Sequence, residues 1–385
     1  MRRLDVLKDD RGAAATIFVL FLGSGILLVL FAMTADAGAV FNERRVTQIS
    51  ADSASLSVAS YCALGSPECG NEINLKAKAQ EFANLNSNDK FSDLQNLCGF
   101  TPLAPCSNQS EVSCKPVPSS LQRYARAVVS TKNQDGTTKV KSPFLDAILG
   151  VSTSTSTSKA CSQAAWGKAN AASVPLPLAI SICDYEADGF KILRDYTSQT
   201  QTCPTIIKDA QGLTMSPQPQ KVIDGWAIFS PTGTPLLCLN SLRITIGMNL
   251  DTLPPGQERC NDASLSGSDS KTVLANFISA NLGKKVFLPV IASTSGTGSG
   301  SAQRVTSPVV GFFSFIFYGY DLGSQIKDGC GARNCVEFSG ISSAQCGSRN
   351  GCIWGRFSRG IVPGGLVSRD TTFPAVGAQA IELLQ

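Results

Sequence analysis

The sequence predicts an α+β protein: an N-terminal transmembrane helix extended into a long helix, then a β-rich, disulfide-stapled extracytoplasmic domain. Three observations carry this. Ala13 to Ala35, AAATIFVLFLGSGILLVLFAMTA, runs for twenty-three residues without a charge; as a helix it is about 34 Å long, enough to cross a ~30 Å hydrocarbon core. All fourteen cysteines lie beyond that run, as expected where one side of a membrane is oxidising. Charged residues are 16% and aromatics 7% of a chain rich in Ser, Thr and Gly, a balance that favours strands and loops over a helical bundle.

Taken in order, residues 1–12 form a stub holding Arg2, Arg3, Lys8 and Arg11, whereas the twenty residues after the run offer only Arg44 and Arg45. The positive-inside rule then leaves the N-terminus cytoplasmic and exports the rest. Ala35-Asp36-Ala37 and Ala37-Gly38-Ala39 fit a small-x-small cleavage site, but the run exceeds the core of about 7 to 15 residues typical of a signal peptide, so an uncleaved single-pass anchor over 13–35 is expected. Within it, Gly23-Ser24-Gly25 offers a small-residue patch where another helix can approach. Residues 36–61 continue the helix: Val40 to Tyr61 contains neither Gly nor Pro, and Val46, Ile49, Leu56 and Ala59 form a narrow apolar stripe. As one rod, Asp10 to Tyr61 is about 78 Å long and is expected to hold the following domain away from the bilayer.

The order Asp10-Arg11-Gly12, apolar span, Asp36-x-Gly38, Glu43-Arg44-Arg45, Gln48, then small residues around Asp52, resembles the N-terminal segment of TadE/TadG-like proteins. These are membrane proteins associated with tight-adherence (Tad, or Flp) pilus systems. The resemblance covers residues 8–60 and rests on Arg11, Gly12, Asp36, Gly38, Arg44, Gln48 and Asp52. Prepilin-like members carry a Glu soon after the processed Gly; Ala13 to Phe18 follow Gly12 here, so the resemblance implies an anchored accessory protein that is not processed. Its implied partners are the lipid bilayer and Tad/Flp pilus or secretion components, met through the N-terminal helix. A membrane-anchored surface adhesin or binding module is the alternative. Ala165-Trp166-Gly167, Pro175 to Glu186, and Val309 to Tyr320 with Cys352 to Phe357 resemble the actinobacterial TadG-related type.

The exported region, 62–385, has room for two subdomains. Cys62 and Cys69 bracket a Pro/Gly turn and are placed to close a small loop. Ile73 to Leu85 repeats Leu75, Ala79, Phe82 and Ala83 at helical intervals. Residues 99–120, with four prolines, are expected to be irregular and stapled by cysteine. Leu121 to Lys132 is strand-like, Asp135-Gly136 a turn, and Pro143 to Leu149 a short apolar helix. In Val151 to Ser158 the β-branched residues alternate with Ser, as a strand requires. Further strands are expected at 225–229, 236–239, 242–248, 286–291 and 307–320, and a flexible loop at Ser293 to Ser301. Val309 to Tyr320 is very apolar, but twelve residues are too few to span a bilayer.

The remaining cysteines are Cys98, Cys106, Cys114, Cys161, Cys183, Cys203, Cys238, Cys260, Cys330, Cys335, Cys346 and Cys352; with Cys62 and Cys69 they allow up to seven disulfides of unassigned connectivity. The last four could instead bind zinc, but their spacing is loose for it. Histidine is absent, which removes Ser-His and Cys-His nucleophile pairs and the HExxH zinc helix. Asp262-x-Ser264-x-Ser266 has the spacing of a metal-dependent adhesion motif without the preceding apolar strand, and Ser87-x-x-Lys90 stands without the companion motifs of a Ser-Lys enzyme. Catalysis, a cofactor and a small-molecule ligand are therefore not expected. Nor is nucleic acid, since the net charge is only +4 and no basic cluster appears.

Overall fold

Four layers follow from where the apolar residues fall on helix and strand. The structure, a computed structural model, describes residues 10–23, 25–106, 114–119, 121, 123–138, 144, 147, 157–176, 178–185, 189–194, 200–202, 207–208, 214–215, 221–223, 225–232, 242–252, 270–291, 295–297, 304–322, 326–328, 351–369 and 377–384. Its first layer is helical: α1 (Asp10–Gly23), α2 (Ile26–Ala63) and α3 (Glu72–Leu85).

Helix α2 is rich in Ala and Ser and free of Pro, which suits a long helix. It ends at Gly65, whose φ of 62° is the left-handed turn that closes helices. A disulfide, Cys62–Cys69, locks the turn into α3, and Asn71 caps α3 by accepting from the Ile73 and Asn74 N–H groups. The loop expected between Cys62 and Cys69 and the helix expected over Ile73 to Leu85 both form.

The second layer is a five-stranded sheet of β1 (Ser92–Gly99), β2 (Tyr124–Thr131), β3 (Lys159–Lys168), β19 (Gly360–Ile361) and β20 (Ala378–Leu383), in the order β1-β2-β3-β20-β19. Side chains alternate across it. Ala160, Ala164 and Trp166 of β3 face the helices with Ala51, Ala54, Val58 and Leu75. Ala165, Ala378 and Ala380 face the other way, onto the third layer.

That layer is a larger sheet with the path β13-β11-β5-β14-β16-β18-β6. Its strands are β5 (Leu178–Ser181), β6 (Phe190–Arg194), β11 (Trp226–Pro231), β13 (Asn249–Thr252), β14 (Lys285–Ile291), β16 (Arg304–Asp321) and β18 (Cys352–Ser358). Strand β15 (Ser295–Thr297) and β17 (Ile326–Asp328) also pair with β16, and β4 (Ala171–Val174) pairs with β12 (Leu242–Thr245). Small ribbons join β7 (Thr200–Thr202) to β10 (Lys221–Ile223) and β8 (Ile207–Lys208) to β9 (Thr214–Met215). Because β13 pairs with both β11 and β16, strands β13, β11, β5, β14 and β16 close on themselves.

In this sheet Ala227 and Phe229 point to the first sheet, while Trp226 and Ile228 point away. The fourth layer, α4 (Ser270–Ala280), covers that far side with Leu274, Ala275 and Ile278. Beneath it Tyr185, Phe313, Phe315 and Phe357 pack edge to face and stacked, with ring centroids 4.8–5.5 Å apart. Strand β16 accepts the close approach of β18 only through glycine: a Cβ on Gly319 would stand 2.4 Å from the Trp354 ring.

The long helix differs from expectation in two ways. It is not one rod, because the chain breaks between α1 and α2, where Gly25 takes a φ of 73°. Glycine has the poorest helix propensity apart from proline and enters this region without strain. The Gly23-Ser24-Gly25 patch is therefore a junction between helices, with Ser24 outside the described residues. Nor does α2 hold the domain at a distance: it lies along β2 and β3 and is part of the domain core. The expected stripe is corrected too. Val46 and Ala59 are buried and Leu56 packs against the same cluster as expected, but Ile49 is exposed, and the buried face is widened by Thr47, Ser50, Ala51, Ala54, Ser55 and Val58, small side chains that let a helix approach a sheet closely.

The expected loop at Ser293 to Ser301 contains β15, which pairs by its backbone with the start of β16 and needs no apolar side chains. Val151 to Ser156, Leu236 to Leu239 and Asp262 to Ser266 lie outside the described residues. Strands β11, β12, β14 and β16 form where expected, and β18 pairs with β16.

Candidate functional site

The candidate site is the surface of α1 and α2 that the domain leaves uncovered. Ile17, Phe18, Val19 and Leu20 on α1 and Leu30, Phe31, Met33 and Phe41 on α2 are all more than half exposed. Polar side chains within this stretch turn inward on the helix: Thr16 Oγ1 donates to the Gly12 carbonyl at 2.8 Å, and Thr34 Oγ1 to that of Phe31 at 2.8 Å. Such back-bonding hides a hydroxyl from apolar surroundings. Among the described residues no single helix is long and apolar enough to cross a membrane, because the uncharged run is shared between α1 and the start of α2.

The residues of the predicted motif divide between two faces. Arg11 lies in the first turn of α1, and Gly12 is exposed. Asp36 is buried and its Oδ1 accepts from the Phe144 N–H at 3.3 Å. Gln48 Nε2 donates to Asp52 Oδ1 at 2.9 Å and reaches the Cys161 carbonyl on β3 at 3.3 Å. Ser55 and Ser162 add a hydroxyl pair at 3.0 Å two turns after Gln48. Asp36, Gln48 and Asp52 thus fasten α2 to the domain. Gly38 and Arg44 are exposed, and a Cβ on Gly38 would meet nothing within 4 Å. Together with Phe41 they present an outward face with no partner from the chain's own described residues.

Glu43, half buried at the border of the two faces, has its carboxyl pushed above the usual range by burial and then by the charge of Asp89. Asp89 sits in the turn after α3 beside Lys90, whose φ is 64°. Ser87 and Lys90 belong to that same turn, with the Lys90 N–H donating to the Ser87 carbonyl at 3.2 Å. Their spacing is thereby explained as turn geometry.

At the far end of α2, Arg359 Nη1 donates to the Gly65 carbonyl at 2.7 Å and to that of Leu64 at 3.3 Å. A guanidinium here satisfies terminal carbonyls and meets the negative end of the helix dipole. The edge strand β1 is closed by a side chain. Gln80 of α3 accepts from the Leu94 N–H at 2.9 Å and donates to the Ser92 carbonyl at 2.9 Å, acting as a neighbouring strand would. The groove beside it, lined by Lys76, Gln80, Leu94, Gln95, Asn96 and Leu97, is open and polar.

Cysteine serves the fold. Cys62–Cys69, Cys98–Cys106 and Cys114–Cys161 are disulfides, and Cys183 and Cys352 are disulfide-bonded as well. Cys203, Cys238, Cys260, Cys330, Cys335 and Cys346 lie outside the described residues. A zinc site using Cys352 is ruled out by its disulfide. Among the described residues no three His, Cys, Asp or Glu side chains converge as metal ligands.

Comparison with known proteins finds one family. Residues 12–60 match the Tad family, described as "Putative Flp pilus-assembly TadE/G-like". The chain's N-terminal segment is TadE/G-like, and the matched stretch contains nearly all of α1 and of α2, including both faces described above. No curated protein and no solved structure matches the chain.

Proposed function

We propose that this chain is a membrane-anchored, structural and non-catalytic accessory component of a Tad/Flp pilus or related surface assembly. The observation that carries the proposal is the coincidence of the TadE/G-like match over residues 12–60 with the exposed apolar surface of α1 and the first turns of α2. Apolar side chains left in water at this density need a cover. A lipid bilayer supplies it for 13–35, crossed as two helices joined at Gly25, with the stub 1–12 cytoplasmic and residues 36–385 outside. Glycine breaks are tolerated in membrane helices where neighbouring helices re-satisfy the backbone, which favours a partner helix beside the junction. Just outside, the face carrying Gly38, Phe41 and Arg44 is the docking surface for an assembly component.

Two experiments test this. The full chain should stay in the membrane pellet under alkaline carbonate; release into the supernatant counts against the anchor. From gently solubilised membranes it should co-purify with Tad secretion components, and F41D should weaken that association while leaving carbonate resistance intact. Co-purification unaffected by F41D moves the docking surface elsewhere, and absence of any Tad component argues for the adhesin alternative.

A further inference from the structure

Asp36 and Phe31 contact a part of the domain far away in sequence. Phe144 lies in the connection between β2 and β3, which ends at Lys159. Its N–H donates to Asp36 Oδ1 at 3.3 Å, and its ring meets that of Phe31 edge to face with centroids 6.4 Å apart. On the same face Ala32 is 1% exposed. Phe144 therefore meets α2 at the last turns of the uncharged run. Phe31 and Asp36 are separated along the helix by about 7.5 Å, so Phe144 stands where that run gives way to polar sequence.

Phe144 is 50% and Phe31 65% exposed. Two large rings pair with each other yet leave half or more of their surface uncovered. A pair of this kind at the polar end of an apolar helix matches the interfacial zone, where aromatic side chains concentrate at headgroup level. The Asp36 carboxylate fits the same position: it is sheltered from the lipid side and takes a backbone N–H, so no unsatisfied peptide group is offered to hydrocarbon.

We propose that Phe144, paired with Phe31, is the exported domain's own contact with the lipid bilayer, seated at the boundary of headgroups and acyl chains. Asp36 is the positioning residue that holds Phe144 at that depth. The domain then rests on the membrane surface through a second point besides its helix. The inference rests on the reading that residues 13–35 cross the bilayer.

The experiment uses the full chain reconstituted in phosphatidylcholine–phosphatidylglycerol vesicles whose acyl chains are brominated near the headgroup. Trp166, Trp226 and Trp354 are buried in the domain and give a background that bromine leaves unquenched. Phe31→Trp and Phe144→Trp are made singly, each checked for retention of its disulfides by alkylation without reductant. Both new indoles are expected to lose emission in brominated relative to unbrominated vesicles. Asp36→Ala combined with F144W is expected to reduce that loss, whereas D36A combined with F31W leaves it unchanged. Quenching of the F31W indole with none of the F144W indole overturns the contact and leaves the span standing. Quenching of neither overturns the span, and the contact with it. Equal quenching of F144W with and without D36A overturns the role given to Asp36.

Discussion

Helix α2 carries two surfaces that differ although the backbone is continuous. From Val46 to Ala63 its buried side is Ala, Ser and Val seated on β2 and β3, with Ala54 and Val58 fully buried. From Leu30 to Phe41 its large apolar side chains face outward. The half that packs against the domain uses small residues, and the half that the domain leaves uncovered uses large ones. Close helix–sheet contact demands small side chains, because each added methylene must be fitted into a packed interior. An outward face meets no such limit.

The comparison breaks if a charge is equally tolerated on both halves. V58D, which buries an unpaired carboxylate against the sheet, should lower stability by on the order of 4 kcal/mol, read as a shift in the urea midpoint of the domain's tryptophan fluorescence. F41D should leave that midpoint nearly unchanged. G319A tests whether the second sheet is packed as tightly as the first. A methyl group driven against Trp354 should cost about 2 kcal/mol and shift the indole emission. R359A removes the guanidinium from the end of α2 and should cost about 1–2 kcal/mol. Hydrogen exchange should quicken in the last turn of α2 more than around Val46.

The smallest effect is expected at Glu43, on the border between the halves. Its folded carboxyl titrates above the ordinary value because of burial and Asp89. The favourable contribution of the protonated form is complete below the unfolded pKa and is lost as pH rises through the elevated folded pKa. E43Q should therefore raise the midpoint slightly at pH 7 and have no such benefit at pH 3. A benefit at both values would assign the effect to packing.

The elements with strong local signals were legible in the sequence. α3, β14, β16 and the Cys62–Cys69 loop announce themselves by period or by turn chemistry, and β11 and β12 by short apolar runs. Strand β1 did not, since Asp93, Gln95 and Asn96 give it polar character. Its edge is completed by Gln80, a residue of the preceding helix. β15 was hidden likewise, because its pairing with β16 uses only backbone groups in a Gly- and Ser-rich stretch. Of the candidate site, the apolar run and the motif from Arg11 to Asp52 were visible, but the division of that motif between two faces was not. Gln48 meets the Cys161 carbonyl and Asp36 meets Phe144 across more than a hundred residues of sequence.

What the sequence by itself determined is local and compositional: an uncharged stretch beside a basic stub, cysteines on one side of it, and alternating strands beyond. These depend on residue type and spacing alone. Only the tertiary structure decided that the helix breaks at Gly25, that its second half is a layer of the domain core, and that Phe144 returns to the end of the apolar run. The physical reason is that helix propensity, hydrophobic period and turn chemistry act over a few residues, whereas the docking of α2 on β3 and of Phe144 on Phe31 depends on contacts formed only when distant segments pack together.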